Sequence, residues 1–198
     1  MKNNIKSITV FCGSSNGLKS SYMEQAFLLG ETLAQKGIQL VYGGAKVGLM
    51  GAVADGALSK KGRVVGIIPD FLKKKELAHG GITELHIVET MHQRKTKMHD
   101  LSDGFIALPG GFGTMEELFE IITWAQLGLH KKPIGLLNTD SFYDHLVLLL
   151  DQMVNNGLLK ESNRNMLLVN QDIDTLIEQM YSYEAPVVGK WISSEEEV

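Results

Sequence analysis

The stretch that decides the fold is residues 5–17, IKSITVFCGSSNG, in which a short apolar run ends in a turn rich in glycine and serine. The run from Ile5 to Cys12 is rich in β-branched residues and predicts a buried strand. After the turn, apolar residues recur every three or four positions from about Ser21 to Lys36, and Gly37 follows, as is typical of a helix end. A strand, a tight turn and a helix in this order begin a βαβ unit.

The same alternation continues along the rest of the chain. Short apolar runs predict strands and longer periodic stretches predict helices, which together indicate an α/β protein with an open, mostly parallel sheet and helices on both faces. No linker, repeat or low-complexity segment divides residues 1–198, so we expect one domain with a solvated, flexible tail from about residue 185. Further strands are predicted at 38–42, 63–68, 85–88, 104–108, 133–137 and 166–169, and further helices at about 49–61, 91–99, 114–129, 142–156 and 173–181.

Composition argues against several classes of protein. The 198 residues carry 19 Lys and Arg against 23 Asp and Glu, and this formal net charge of -4 is unlike the basic excess of a nucleic-acid-binding protein. The longest apolar runs, such as 146–150, are far shorter than the roughly 20 residues that span a bilayer. A single Cys cannot form an internal disulfide. We therefore expect a cytoplasmic protein that binds neither nucleic acid nor membrane.

Three glycine-rich loops follow predicted strands, at 13–17, 43–48 and 109–114. In an open parallel sheet, ligands bind beyond the carboxyl ends of the strands, where glycines let backbone N–H groups approach a phosphate. Neither G-x-G-x-x-G nor G-x-x-x-x-G-K-[ST] occurs, which disfavours an ordinary NAD site or an ATP-hydrolysing site. The loops therefore predict nucleotide cradles of another kind, although glycine and serine also populate ordinary turns.

The third loop, PGGFGTMEE at residues 109–117, places a carboxylate close to a glycine-rich helix start. One interpretation is structural: a capping box with Thr114 at the N-cap and Glu117 at the third helical position. The other is functional, with a phosphate cradle beside a catalytic carboxylate.

This loop resembles the P-G-G-x-G-T-x-x-E signature of the LONELY GUY family. The segment MHQRK at residues 91–95 matches a second family motif, and VYGG at 41–44 and GLMG at 48–51 also match. The resemblance covers about residues 8–137. It implies a modified Rossmann fold, a homodimer, no organic cofactor, and hydrolysis of (N6-modified) adenosine 5'-monophosphates to free base and ribose 5-phosphate. The family's older label is lysine decarboxylase, but we find no residue set for pyridoxal phosphate in the sequence.

The resemblance also implies site residues. Catalytic roles fall to Arg94 and Glu117, while a second group of residues would bind the substrate. Glu117 could bind the ribose hydroxyls, offset positive charge on the ribose or orient water; Arg94 could hold the phosphate or ribose, or support charge on the departing base. The substrate-binding group comprises Ser14, Gly44, Met91, Lys95, Gly110, Gly111, Gly113 and Thr114.

Other candidates favour structural interpretations. Without the resemblance, Arg94 would read as a solvated charge on a basic helix. Cys12 at a strand end is expected to be a buried small hydrophobe. The six His show no metal-ligand spacing, so no metal site is predicted. The alternative function is a non-catalytic nucleotide or molybdenum-cofactor carrier, which needs the glycine cradles but not Arg94 with Glu117. A third possibility is an interaction protein whose glycines only turn the chain.

Overall fold

A computed structural model describes residues 3–73 and 78–186, and within these residues seven strands form one parallel sheet. The strands are β1 (Ser7–Phe11), β2 (Gln39–Tyr42), β3 (Val64–Pro69), β4 (Glu84–Val88), β5 (Gly104–Ala107), β6 (Ile134–Leu137) and β7 (Leu167–Asn170). Their order across the sheet is β4-β3-β2-β1-β5-β6-β7.

The helices cover both faces of the sheet, and all but α8, which follows the last strand, lie between successive strands. They are α1 (Ser20–Gln35), α2 (Gly48–Ser59), α3 (Asp70–Lys73), α4 (Met91–Asp100), α5 (Phe112–Leu127), α6 (Asp144–Asn155), α7 (Glu161–Arg164) and α8 (Ile173–Ser182). One apolar core lies between the sheet and α1, α2 and α8, and a second core lies between the opposite face and α4, α5 and α6. The predicted α/β class with helices on both faces is confirmed.

The strand order reverses at β1, which pairs with β2 on one side and with β5 on the other. Chains leaving the two neighbouring strands therefore cross to opposite faces, and a crevice opens between their loops. Ligands of open α/β sheets bind at such a switch point. The loops after β1 and β5 are two of the three glycine-rich loops identified in the sequence.

The predicted strands and long helices are all present, with ends displaced by at most two residues. Two helices of four residues each, α3 and α7, carry no periodic pattern and were not expected. The predicted helix at 142–156 begins instead at Asp144, because a short 3-10 turn, Thr139–Ser141, precedes it. Residues 187–198 of the predicted tail lie outside the described residues. No helix among the described residues is long and apolar enough to span a bilayer.

Candidate active site

A cavity of about 410 Å³ lies at the carboxyl ends of β1, β2 and β3. Its walls come from the loops after β1 and β2, from the end of β3, and from α2, α3, α4 and α5. A volume of this size falls within the range of about 300 to 1,000 Å³ that is usual for small-molecule sites. The cavity is therefore the candidate active site.

One wall of the cavity is the amino-terminal end of α5. Gly111 is the N-cap, and the first amide of this turn with a helical acceptor is that of Met115, which donates to the Gly111 carbonyl at 3.1 Å. The preceding amides of the first turn have no helical acceptor, and the helix end carries partial positive charge. A Cβ atom added at Gly111 or at Gly113 would meet no heavy atom within 4 Å. This wall leaves room for an anion beside amide donors, as phosphate binding requires.

The capping-box interpretation of this helix start is wrong. The helix begins at Phe112, two residues before the predicted start, so Thr114 is its third residue and Glu117 its sixth. The N-cap Gly111 has no side chain to cap with, and the Glu117 side chain points to Arg94 instead of back to the first turn. The helix starts early because Gly111, two residues after a bend at Pro109, adopts the extended conformation of an N-cap.

Backbone hydrogen bonds join the loop after β1 to the loop after β5 and to the start of α2. The Gly13 amide donates to the Pro109 carbonyl at 3.1 Å, and the Leu49 amide donates to the Gly13 carbonyl at 3.1 Å. A Cβ atom at Gly110 would lie 2.0 Å from Oγ1 of Thr114, so the Thr114 side chain occupies the space that only glycine leaves free. Gly110 thus packs against Thr114 without lining the cavity, whereas Thr114 itself lines it.

Arg94 reaches the cavity from α4. That helix begins after Thr90, whose Oγ1 accepts a hydrogen bond from the Gln93 amide at 3.1 Å, a standard N-cap contact. The Arg94 Nη1 donates to Oε1 of Glu117 at 2.6 Å, and Nε donates to the Ile67 carbonyl at 3.2 Å. A Cβ atom at Gly43 would lie 2.1 Å from Arg94 Nη2. The guanidinium is therefore fixed by two hydrogen bonds and by the missing side chain at Gly43.

Arg94 and Glu117 form a buried ion pair, with side chains 10% and 8% exposed. Burial raises the pKa of Glu117 above its ordinary value, while the charge of Arg94 and its hydrogen bond oppose that rise. Burial also raises the pKa of the neighbouring Cys12 thiol, so that it stays protonated at neutral pH. The predicted solvated-face alternative for Arg94 is wrong, because α4 turns this side chain inward.

The residues that the resemblance assigns to the site fall into two groups. The cavity wall includes Ser14, Arg94, Gly111, Gly113, Thr114 and Glu117, but not Gly44, Met91, Lys95 or Gly110. Gly44 has a φ of +76° and its added Cβ would press on Ile68 at 3.2 Å, so it is a turn residue. Met91 is the exposed first residue of α4, and Lys95 is engaged by Glu116 and Glu120.

Several cavity residues were not singled out from the sequence. Met50, Ile68 and Leu72 form an apolar part of the wall, and Gly43 accommodates the Arg94 guanidinium. Gly43 and Met50 lie in matched family segments, so those segments held a usable signal. Leu72 lies on the short α3 helix after Pro69, where no pattern indicated structure.

The cavity does not fit pyridoxal phosphate. That cofactor requires a lysine for its Schiff base, and among the described residues no lysine lines the cavity. Residues 3–73 and 78–186 also contain no group of three or more His, Cys, Asp or Glu side chains arranged to hold a metal ion.

Comparisons with known proteins agree on one family. The family described as "Possible lysine decarboxylase" matches residues 50–180. The cytokinin riboside 5'-monophosphate phosphoribohydrolase LOG7 of Arabidopsis thaliana is 46% identical over 92% of this chain and 84% of its own length. A cytokinin riboside 5'-monophosphate phosphoribohydrolase of Rhodococcoides fascians is 47% identical, over 87% of both chains.

Solved structures share the fold at lower identity. The molybdenum cofactor binding protein of Rippkaea orientalis has a TM-score of 0.69 and 23% identity, covering 90% of this chain and 97% of its own. The molybdenum cofactor carrier protein of Chlamydomonas reinhardtii has a TM-score of 0.67 and 18% identity, covering 91% and 100%. At such identities the likeness establishes a common Rossmann-like architecture and nothing about ligands.

Proposed function

Since the chain belongs to the LONELY GUY family of cytokinin riboside 5'-monophosphate phosphoribohydrolases, we propose that it hydrolyses the N-glycosidic bond of adenosine 5'-monophosphates, with or without an N6 substituent. The products are the free base, a cytokinin or adenine, and ribose 5-phosphate. The observation that carries this proposal is the buried Arg94–Glu117 pair, in a cavity whose other wall is the glycine-lined start of α5.

The start of α5 binds the 5'-phosphate in this proposal. Gly111 and Gly113 leave the space, and the first-turn amides with the helix dipole supply the attraction for an anion. Binding energy gained at the phosphate holds the ribose at a fixed position in the cavity. The phosphate is thus a handle for the reaction, which takes place at the other end of the sugar.

Glu117 acts on the ribose. Cleavage breaks the bond from C1' to the base nitrogen, water supplies the oxygen that bonds to C1', and the departing base takes up a proton. The transition state carries oxocarbenium-like positive charge on the ribose, as in other glycosyl transfers. A buried carboxylate stabilises that charge far more than an exposed one, because little water screens it. The ionised form of Glu117 is therefore the active form.

Arg94 has two roles in the proposal. Its guanidinium favours the ionised form of Glu117, since its charge and its hydrogen bond oppose the rise in the Glu117 pKa that burial causes. Within residues 3–73 and 78–186, the Arg94 side chain donates only from Nε and Nη1, so its Nη2 donors suit a phosphate or ribose oxygen. The pair therefore serves both as an electrostatic unit and as a substrate contact.

A carrier for a nucleotide or for the molybdenum cofactor is the weaker alternative. A carrier would need the glycine-lined wall but not a buried acid next to a buried base. Burying two charged side chains costs free energy, and binding alone gains nothing from that burial. The carrier proteins of similar fold share less than 25% identity with this chain, so they support the architecture only.

The test is incubation with three substrates, followed by chromatography. AMP and an N6-prenylated AMP should yield free base and ribose 5-phosphate, whereas adenosine, which lacks the phosphate, should remain intact. Binding of AMP without release of base would favour the carrier. Equal turnover of AMP and adenosine would remove the phosphate site from the proposal.

We also propose a homodimer, a single folding unit over residues 1–198 and a cytoplasmic location. This proposal is supported by exposed apolar side chains on α5, Phe112 and Phe119, and on α6, Leu148 and Leu149, which a second copy could bury. Light scattering at micromolar concentration tests the dimer, and a monomer would contradict it.

One cooperative unfolding transition would support the single folding unit, and the position of a fluorescent fusion in the cell would test the location.

A further inference from the structure

Lys95 follows Arg94 in the chain but does not line the cavity. Its ammonium group is held between two carboxylates of α5: Nζ lies 2.9 Å from Oε1 of Glu120 and also pairs with Glu116. The Lys95 side chain is 14% exposed, so the pairing closes a partly buried seam between α4 and α5. A lysine with two carboxylate partners is poorly placed to hold a substrate.

The Arg94–Glu117 and Lys95–Glu116 ion pairs join α4 and α5 at adjacent positions. Consecutive residues of α4, Arg94 and Lys95, pair with consecutive residues of α5, Glu117 and Glu116. Neighbouring residues on a helix point about 100° apart, so only one of each couple can face the cavity. Arg94 and Glu117 take that direction, and Lys95 and Glu116 meet beside it. Two contacts at different angles fix the rotation of each helix as well as its distance from the other.

We propose that Lys95 is a positioning residue and not a substrate ligand: it fixes α4 against α5 so that the Arg94 guanidinium meets Glu117, and it offsets the charge of Glu116 next to Glu117. This inference rests on the proposed function, because the pair being positioned is the one to which the chemistry is assigned. It replaces the substrate-binding role that the family resemblance implies for Lys95.

The charged groups around Glu117 support the second half of this role. Arg94 and Lys95 face it from α4, Glu116 precedes it on α5, and the Cys12 thiol lies at the end of β1. Burial raises the pKa of Glu117, Arg94 lowers it most strongly, Glu116 raises it and Lys95 lowers it. Removal of Lys95 leaves the Glu116 charge unopposed, and Glu117 then keeps its proton to higher pH.

The kinetic test compares Lys95→Met with Lys97→Met, a lysine on the same helix outside these pairs. We expect Lys95→Met to lower kcat for AMP by roughly tenfold and to raise KM by no more than about threefold, because Arg94 keeps its hydrogen bond to the Ile67 carbonyl and so remains near the substrate. Lys95→Arg, which keeps the charge, should retain most of the rate, and Lys97→Met should match the wild type. A KM that rises more than about tenfold with kcat unchanged would make Lys95 a substrate ligand and overturn the proposal. Should Lys95→Met not fold, Glu120→Gln removes one of the two partners and should give the same changes at smaller size.

A second test needs no turnover. The carboxyl carbon of Glu117, assigned by its loss in Glu117→Gln, can be titrated by NMR. The midpoint of its titration should move to higher pH in Lys95→Met and return towards the wild-type value in the double variant Lys95→Met/Glu116→Gln. In Lys97→Met the midpoint should stay unchanged. An unchanged midpoint in Lys95→Met would overturn the proposal. If the wild type cleaves no 5'-monophosphate, the proposed function fails, and this titration still decides the role of Lys95.

Discussion

Gly43 and Arg94 approach so closely that a Cβ atom at Gly43 would stand 2.1 Å from the Nη2 atom of the arginine. The guanidinium thus abuts Gly43 directly after β2, and its Nε donates to the Ile67 carbonyl of the neighbouring strand β3. The glycine is needed here for the space it leaves, since its φ does not lie in the left-handed region. The position of Arg94 is therefore built into the sheet as well as into α4.

Gly43→Ala should displace the guanidinium and so damage activity more than stability. We expect kcat for AMP to fall at least about tenfold. Overpacking should lower the free energy of unfolding by about 1 to 3 kcal/mol. Chemical denaturation and steady-state kinetics on the same preparation measure both quantities. Wild-type kcat in a folded Gly43→Ala variant would contradict the fixed position of Arg94.

Gly113→Ala tests whether the space beside Gly113 is needed for ligand binding and not for folding. Gly113 is the second residue of α5, and its added Cβ meets nothing, so alanine should leave the melting temperature unchanged or raise it slightly through helix propensity. The same methyl group would enter the phosphate space and raise KM for AMP by about tenfold or more. The matched control is Gly80→Ala, which also meets nothing within 4 Å but lies outside the cavity. Equal KM values for the two variants would argue against a phosphate site at α5.

Arg94→Ala should lower turnover of AMP by about a hundredfold or more, the scale of losing one charge-stabilising group. Without the arginine, its charge and hydrogen bond no longer oppose the effect of burial, so the pKa of Glu117 should rise and the acidic limb of the pH–rate profile should move to higher pH. The sign follows because the ionised carboxylate is the active form, so activity is lost as pH falls through the pKa of Glu117. A profile that keeps the wild-type acidic limb would mean that Arg94 does not control Glu117.

His130, which does not line the active-site cavity, should make the free energy of unfolding depend on pH. Its Nε2 lies 2.9 Å from the Ile121 carbonyl, its Nδ1 accepts from the Lys132 amide at 3.2 Å, and burial lowers its pKa to about 4. Because the unfolded state binds the proton more tightly, this contribution is complete above about pH 6.5 and is lost as pH falls towards 4.

The expected loss between pH 7.5 and pH 5 is about 2 kcal/mol in the free energy of unfolding. Urea denaturation at the two pH values measures it for the wild type and for His130→Asn, in which this part of the pH dependence should disappear. The control is His145→Asn, at an exposed histidine, which should keep the wild-type dependence. An equal pH dependence in all three proteins would show that His130 does not carry it.

The sequence predicted the fold well because each strand is a short, mostly apolar run and most long helices have an apolar period, α4 being a polar exception. It did not predict α3 or α7, since four residues are too few to display a period. In the site, the motif residues Glu117 and Arg94 could be named, but their contact could not, because the pairing depends on how α4 and α5 rotate. The same rotation places Lys95 outside the cavity although it follows Arg94 directly. The wrong capping box at Thr114 has a similar origin: spacing alone does not tell at which residue the helix begins.

The turnover of AMP by Glu117→Gln tests most directly whether Glu117 supplies the charge that stabilises the ribose. Glutamine keeps the size of the side chain and an oxygen for Arg94 but removes the negative charge. We predict that kcat falls by roughly 10² to 10³, equivalent to about 3 to 4 kcal/mol, while the dissociation constant of ribose 5-phosphate, measured by calorimetry, stays within about threefold. Near wild-type kcat in a folded Glu117→Gln variant would contradict the assignment of Glu117 as the charge that stabilises the ribose.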